Sequence, residues 1–379
     1  MEYIDEYMVN PFVTSGYVGS EYFCDRVKET ADITMWMKNG NNLALISPRR
    51  YGKTDLVRHC FDQEEIKENY YTFIIDIYST KSLSEMVNKM GKTILESLKP
   101  KGKRHWETFL NVIHSLKTGI TYDAFGQPSW NVSVGDIANP NNTLDEIFHY
   151  LQRADRRCLV AIDEFQQILK YGDSNVEAAL RTYVQYCSNA NFIFMGSQRH
   201  LMGSMFVSPN RPFYQSVTIM NLQLIEEEKY WEFCKAHFER LGKTLDREVV
   251  RQLYDRFEGV TFYLQKVMNV LFMRTADGGH CDLAELQPAI DYIVDFTAPT
   301  YEDLMYQLPE KQSLVLKAVA EEGCVTQITS GKFSKRHALV SPSAVKSSVK
   351  ALLEKDLLTQ EKGVYRIYDK FFEIWLRKS

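Results

Sequence analysis

The stretch Leu43-Ala44-Leu45-Ile46-Ser47-Pro48-Arg49-Arg50-Tyr51-Gly52-Lys53-Thr54 decides the fold. Four apolar residues that stop abruptly at Ser47-Pro48 have the profile of a buried parallel strand. A basic loop then reaches Gly52-Lys53-Thr54, and a helical pattern follows over 54–61. Strand, loop and helix in that order are the context required by a phosphate-binding loop of the G-x-x-x-x-G-K-[ST] type. Gly52 lets the backbone wrap closely, so that successive N–H groups point inward at a helix N-terminus. Lys53 is expected to reach β- and γ-phosphates, and Thr54 to ligate Mg²⁺. Ser47 stands where the motif has its first glycine, a turn that serine fits if its φ is negative. The competing reading is an ordinary Lys-Thr helix start, which the flanking strand and helix oppose.

Working outward, apolar runs recur at 73–77, 158–162 and 191–195, with a weaker one at 217–220. Helical patterns over 82–98, 143–153 and 175–188 separate them. Strands alternating with helices predict an α/β fold whose parallel sheet is covered on both faces. Residues 116–142 read as a hairpin inserted before the third strand. From about residue 224 strands are not expected. Four helices follow at 226–241, 246–257, 262–274 and 282–297, with Gly242 and Gly259 as C-caps and Asp282 with Glu285 as a capping box. The last block, from about 301, reads as helices over 310–322 and 331–337 and a third opened by Ser341-Pro342-Ser343. A ribbon formed by 357–360 and 364–367 completes a winged helix-turn-helix pattern.

The buried run Leu159-Val160-Ala161-Ile162 ends in Asp163-Glu164. Acids at the carboxyl end of a parallel strand lie where ligands bind in such sheets, beside the phosphate loop. Asp163 is expected to hold Mg²⁺ and Glu164 to polarise an attacking water; the competing reading is a helix N-cap. After 191–195 comes Gly196-Ser197-Gln198, where Ser197, ahead of Gln198, is placed to touch a γ-phosphate or the lytic water; a plain surface turn is the alternative. Arg211 is placed to serve a neighbouring subunit as an arginine finger, or is a plain surface arginine. Arg49 and Arg50 add positive potential at the loop, or pair with nearby acids. Asp76, in the second strand run, stands either behind the site or in strand-edge packing.

The chain has 379 residues, enough for two or three domains, and ordinary proportions of hydrophobic (45%) and charged (25%) residues, which argue against wholesale disorder. No uninterrupted apolar run approaches a membrane span, and the acidic start at 1–7 lacks the layout of a signal peptide. Seven scattered cysteines without Cys-x-x-Cys spacing point away from a disulfide framework or zinc site. A soluble, cytoplasmic protein with no membrane partner is expected. Residues 305–379 carry 13 Lys and Arg against 8 Asp and Glu, which leaves 32 against 41 in 1–304. An acidic body with a basic tail suggests an anionic partner for the tail, unless the split is a chance feature of solvated surface. Duplex DNA would meet Lys346 and Lys350 on the third helix, Lys335 and Arg336 on the second, and Lys362 and Arg366 on the wing. Lysine-rich contacts favour phosphate over base edges. A protein partner for the winged helix is the alternative.

The loop 47–54, the segment Ala161-Ile162-Asp163-Glu164-Phe165-Gln166 and Met195-Gly196-Ser197 together resemble the archaeal-type ATPase family of the AAA+ class, relatives of origin-recognition and STAND ATPases. Phe23-Cys24-Asp25-Arg26 with Glu29 is similar to that family's F-x-[DG]-R-x-x-E segment, which the resemblance places near the adenine. Residues 258–264 resemble the lid's G-x-P-x-x-L element, with Thr261 in place of proline. The resemblance implies a P-loop NTPase core over 1–223, a helical lid over 224–300 and a winged helix over 301–379. It also implies ATP as nucleotide, with Ser47, Pro48, Arg49, Arg50, Tyr51, Gly52, Lys53, Thr54, Phe23 and Arg26 around it, and a homo-oligomer as one option. Three functions follow: an ATP-hydrolysing switch that moves the winged helix, a nucleotide-gated DNA-binding or regulatory protein with negligible turnover, and a small-molecule kinase. The adjacent Asp-Glu and the winged tail, which a kinase does not require, oppose the third.

Overall fold

The computed structural model describes residues 10–173 and 175–379, so the acidic stretch 1–7 lies outside it. The described residues divide into two compact units, Ser15–Ile225 and Glu226–Ser379, the second also taking in residues 10–14.

The first unit contains helix α1 (Val27–Lys38), strand β1 (Leu43–Ile46), α2 (Lys53–Asp62), α3 (Glu64–Asn69), β2 (Tyr70–Asp76), α4 (Leu83–Leu98), α5 (Lys103–Val112), a small antiparallel hairpin of β3 (Ile120–Tyr122) and β4 (Pro128–Trp130), α6 (Pro140–Arg153), β5 (Arg157–Asp163), α7 (Val176–Tyr186), β6 (Ala190–Gly196), α8 (Arg199–Val207) and β7 (Thr218–Asn221). Its five-stranded sheet has the order β2-β5-β6-β1-β7, and every pair is parallel. Side chains alternate along each strand, so the two faces feed two cores. Ala44, Ile46, Val160, Ile162, Phe192 and Phe194 enter one core, with α4 through α8. Leu43, Leu45, Leu159, Ala161, Ile193 and Met195 enter the other, under α1, α2 and α3. This two-sided burial is why these strands read as continuous apolar runs rather than as alternation.

The second unit carries α9 (Glu227–Arg240), β8 (Thr244–Leu245), α10 (Arg247–Arg256), α11 (Thr261–Arg274), β9 (His280–Cys281), α12 (Leu286–Gln307), α13 (Glu310–Glu322), α14 (Gly331–Arg336), α15 (Pro342–Glu354), the hairpin β10 (Leu358–Glu361) and β11 (Val364–Ile367), and α16 (Lys370–Lys378). Two expectations change here. Strands do not stop at 224, because β8 and β9 pair in parallel over two residues each, a bridge too short to leave a periodic signal. Asp282 does not open the fourth helix with a capping box: its side chain accepts from Ala284 N at 2.8 Å in a short 3₁₀ turn, and α12 begins only at Leu286. α12 then runs through Pro299 to Gln307. No helix of the described residues is long and apolar enough to cross a membrane.

Candidate nucleotide-binding and catalytic site

Strand register brings the candidate residues to one edge of the sheet. Ile46 pairs with Gly196 and with Asn221, and Asp76 pairs with Asp163, so these strands end level at their carboxyl ends. The residues that leave those ends are Ser47, Glu164 and Ser197. A parallel sheet exposes its ligand-binding crevice at this edge.

The loop from Ser47 to Gly52 is closed on itself. Ser47 is fully buried, its N–H donates to Gly196 O at 3.3 Å, and its φ is not positive. A serine therefore occupies the first glycine position of the motif without backbone strain. The left-handed positions are Arg50 (φ 72°) and Gly52 (φ 83°). Gly52 sits there at no steric cost, and α2 begins immediately after it. Lys53 is 6% exposed, and its Nζ donates to Ser47 O at 3.0 Å and Pro48 O at 3.2 Å. Burial pulls the Lys53 ammonium below its usual range, against the opposing fields of Glu164 and then Asp163. The ammonium is thus held dry among carbonyl oxygens, partners that phosphate oxygens can replace.

The acid pair is turned so that each member faces a different group. Thr54 Oγ1 donates to Asp163 Oδ2 at 2.5 Å, joining the helix start to the strand end across 109 residues of sequence. Asp163 Oδ1 accepts the Glu164 N–H at 2.9 Å, and Glu164 adopts a left-handed φ of 56°. Burial pushes the Asp163 carboxyl up; the Thr54 hydrogen bond opposes this, and the neighbouring Glu164 adds to it. One hydroxyl and one buried carboxylate are hard oxygen donors of the kind Mg²⁺ takes when phosphate and water complete its octahedron, so the pair fits the ion. Glu164 Oε2 accepts from Ser197 Oγ at 2.7 Å and from the amide of Gln166, while Arg49 lies 3.9 Å from its other oxygen. Arg49 also stacks over the Tyr78 ring at 5.0 Å. The sequence reading proposed no role for Gln166, although it lies in the quoted segment two residues after Glu164; its position there was the available signal. Gln166 is 3% exposed and its Oε1 has no hydrogen-bond partner. Asp76 caps its own turn by accepting the Tyr78 N–H at 2.9 Å.

The remaining candidates lie on other contacts. Phe23 stacks on His59 of α2 at 4.3 Å, nearly two helix turns beyond Lys53. Arg26, 3% exposed and in a left-handed conformation, spends its guanidinium on Glu29 at 2.6 Å and Gln223 O at 2.7 Å. Tyr51 packs on the core beneath α1 and α2. Arg211 is ion-paired with Glu177 of α7. In the winged helix, Lys335, Lys346, Lys350 and Lys362 are exposed, and Lys350 lies 3.9 Å from Glu354. Arg336 pairs with Glu322 at 2.8 Å, and Arg366 with Glu258 at 3.0 Å.

Comparison with known proteins agrees with this geometry. Residues 23–267 match the family model described as an ATPase domain predominantly from Archaea, and residues 299–378 match a probable winged helix domain. No curated protein sequence matches. The fold is similar to that of the Walker-type ATPase PABY2304 of Pyrococcus abyssi, with a TM-score of 0.62 at 15% identity over 97% of this chain and 99% of that one. It is also similar to the Aeropyrum pernix ORC1 protein, solved in complex with DNA, with a TM-score of 0.54 at 12% identity over 94% and 93% of the two chains.

Proposed function

Because this chain belongs to the family of ATPase domains found predominantly in Archaea, we propose that it is an ATP-hydrolysing switch whose nucleotide state is passed to the winged helix. The observation that carries this reading is the continuous line Thr54–Asp163–Glu164–Ser197 across the carboxyl edge of the sheet. Lys53 is the cation for the β- and γ-phosphates once it leaves the carbonyls of Ser47 and Pro48. Thr54 and Asp163 hold Mg²⁺, which supplies charge neutralisation at the phosphates. Glu164 orients water, and Ser197 with Gln166 sets the direction of its carboxylate.

The φ of Ser47 is compatible with turnover, since the loop needs no glycine there. The test is Glu164→Gln. ATP binding is expected to survive while kcat falls by about 10²-fold or more, the range for loss of a positioned base. Parental turnover in that variant overturns the role of Glu164. Tight ATP binding without turnover by the parent favours the nucleotide-gated regulatory reading.

The lid and winged helix support the transmission half of the reading. Glu258, in the turn between α10 and α11, and Tyr263, in the first turn of α11, both bond to the winged-helix end of the chain: Glu258 to Arg366 and, at 3.5 Å, to Lys370, and Tyr263 to Tyr368 O at 3.2 Å. For the winged helix we propose DNA as partner, because its exposed lysines lie on the helix and wing that a major-groove reader uses.

A further inference from the structure

We propose that the cavity where the turn before α11, the end of α13, strand β11 and helix α16 meet is a binding site for a small phosphate monoester. Every residue that lines it lies in the second unit, so the site does not depend on the ATPase reading above.

The cavity holds about 320 Å³, inside the range of roughly 300–1,000 Å³ usual for small-molecule sites. Its wall is shaped by the sequence. Lys370, Glu373, Ile374 and Arg377 recur at helical spacing, so α16 turns a single face to the cavity. α13 ends at Gly323, whose φ is 73°, and a Cβ there would lie 2.8 Å from Arg377 Nη2. The missing side chain gives that guanidinium its seat in the wall.

Charge in the wall is unbalanced. The cations Arg256, Arg366, Lys370 and Arg377 share it with three carboxylates. One of these, Glu322, is engaged by Arg336 and His337, which lie outside the cavity, at 2.8 Å each. Glu258 takes Arg366 at 3.0 Å and Lys370 at 3.5 Å, while Glu373 takes Arg377 and, at 3.6 Å, Lys370. Arg256 forms no ion pair among the described residues, and its Nη1 donates to the neutral amide of Gln287 at 2.6 Å. Partial burial draws Arg256 below its usual range; Asp291 opposes this, and Arg377 adds to it as a like charge. Four cations against two available carboxylates leave an excess of +2. A phosphate monoester carries about −1.5 to −2 near neutral pH, and its oxygens match the planar guanidinium fork. Inorganic phosphate meets the charge but leaves space unfilled, whereas an ester has an organic part to occupy it. The ligand would bridge lid and winged helix, because Arg256 and Glu258 lie on the first and Arg366, Lys370 and Arg377 on the second. Binding then stabilises the junction by mass action.

Cys324 supplies the reporter, because it lies in the cavity wall and is exposed while the other six cysteines are buried. Its alkylation by N-ethylmaleimide is followed in the full chain at constant ionic strength, with Cys324→Ser as the blank. Titrated ribose 5-phosphate or glycerol 3-phosphate is expected to slow alkylation saturably, about tenfold at ten times the midpoint. Inorganic phosphate and succinate are expected to act more weakly. Arg256→Gln is expected to react at the parental rate without ligand and to raise the midpoint about tenfold or more, the effect of losing a charge-assisted contact. Arg256→Lys, which keeps the charge without the fork, is expected to fall between, and it decides if the Gln variant disturbs the wall. Lys53→Ala is expected to keep the protection, which separates this site from the phosphate loop. No protection by either ester overturns the site, as does protection that survives loss of Arg256 or vanishes in Lys53→Ala. Equal protection by inorganic phosphate or succinate overturns the assignment to an ester. Protection by duplex DNA instead of the esters overturns it in favour of a nucleic-acid backbone.

Discussion

At Gly196 the backbone has no room for a side chain. A Cβ there would lie 2.3 Å from Met202 Sδ and 2.6 Å from Gln166 Oε1. The methionine can bend away, but the Gln166 amide is held by Glu164 and Ser197. Gly196→Ala is therefore expected to cost about 1–3 kcal/mol by overpacking, read as a fall in Tm, and to lower kcat more than it raises KM, because Gln166 and Ser197 leave their places. An unchanged kcat would show that this amide does not set the Glu164 carboxylate. Motif spacing encodes which residues meet at this edge, and Lys53, Thr54, Asp163 and Glu164 lie together there; the chemistry assigned to them is what Glu164→Gln tests. Motif spacing did not expose Gln166, Tyr78 or Glu177, whose contacts depend on which neighbours the fold supplies. A buried glutamate on a helix has the same one-letter appearance as a solvated one. The positive φ at Glu164 and Arg50 was equally invisible, since neither is a residue that favours that region.

At the scale of elements, legibility followed periodicity. Four of the five sheet strands, β1, β2, β5 and β6, and the long helices α4, α6, α9 and α11 stood out because each buries apolar positions in a continuous run or at helical spacing. α8 was not foreseen, because its apolar residues run together in Leu201, Met202, Met205 and Phe206 after a motif read for a polar contact to phosphate or water. α16 was also missed. Phe371, Phe372 and Leu376 face inward there, and Asp369 caps its start by accepting two N–H groups. That helix matters because it carries the junction with α11. The Tyr263 hydroxyl accepts the Lys370 N–H at 3.0 Å and donates to Tyr368 O at 3.2 Å, and its ring packs between Phe257 and Phe371. Tyr263→Phe keeps the ring and removes both hydrogen bonds. It is expected to destabilise the second unit by about 1–3 kcal/mol, with faster amide exchange confined to α16 and the ribbon β10–β11. Loss of protection spread evenly over α9 to α12 would contradict that assignment, since those helices do not depend on the bond.

Over the whole molecule the excess of acid in 1–304 and of base in 305–379 is a property of composition; the structure sorts which of the basic groups remain available. Arg336 and Arg366 are engaged with Glu322 and Glu258, whereas Lys335, Lys346 and Lys362 are exposed without an ion pair among the described residues. Lys350 has Glu354 one turn along the helix, but a surface pair of this kind is worth well under about 1 kcal/mol and yields readily to a phosphate. Duplex binding through this face should therefore rest on about four lysine–phosphate contacts. Counterion release then predicts a slope of log K against log salt of about −3 to −4, at roughly −0.9 per contact. Replacing Lys346 and Lys350 by Glu should weaken binding similarly for every sequence and flatten the slope by about 2, whereas Arg366→Ala should change the slope little. Repeating the titration with ATP and with ADP measures the coupling: different affinities in the two states connect the sheet-edge site to the winged helix. Binding that ignores both salt and the two lysines would exclude duplex DNA from this face and favour a protein partner, because an ionic contact with a polyanion cannot be salt-independent.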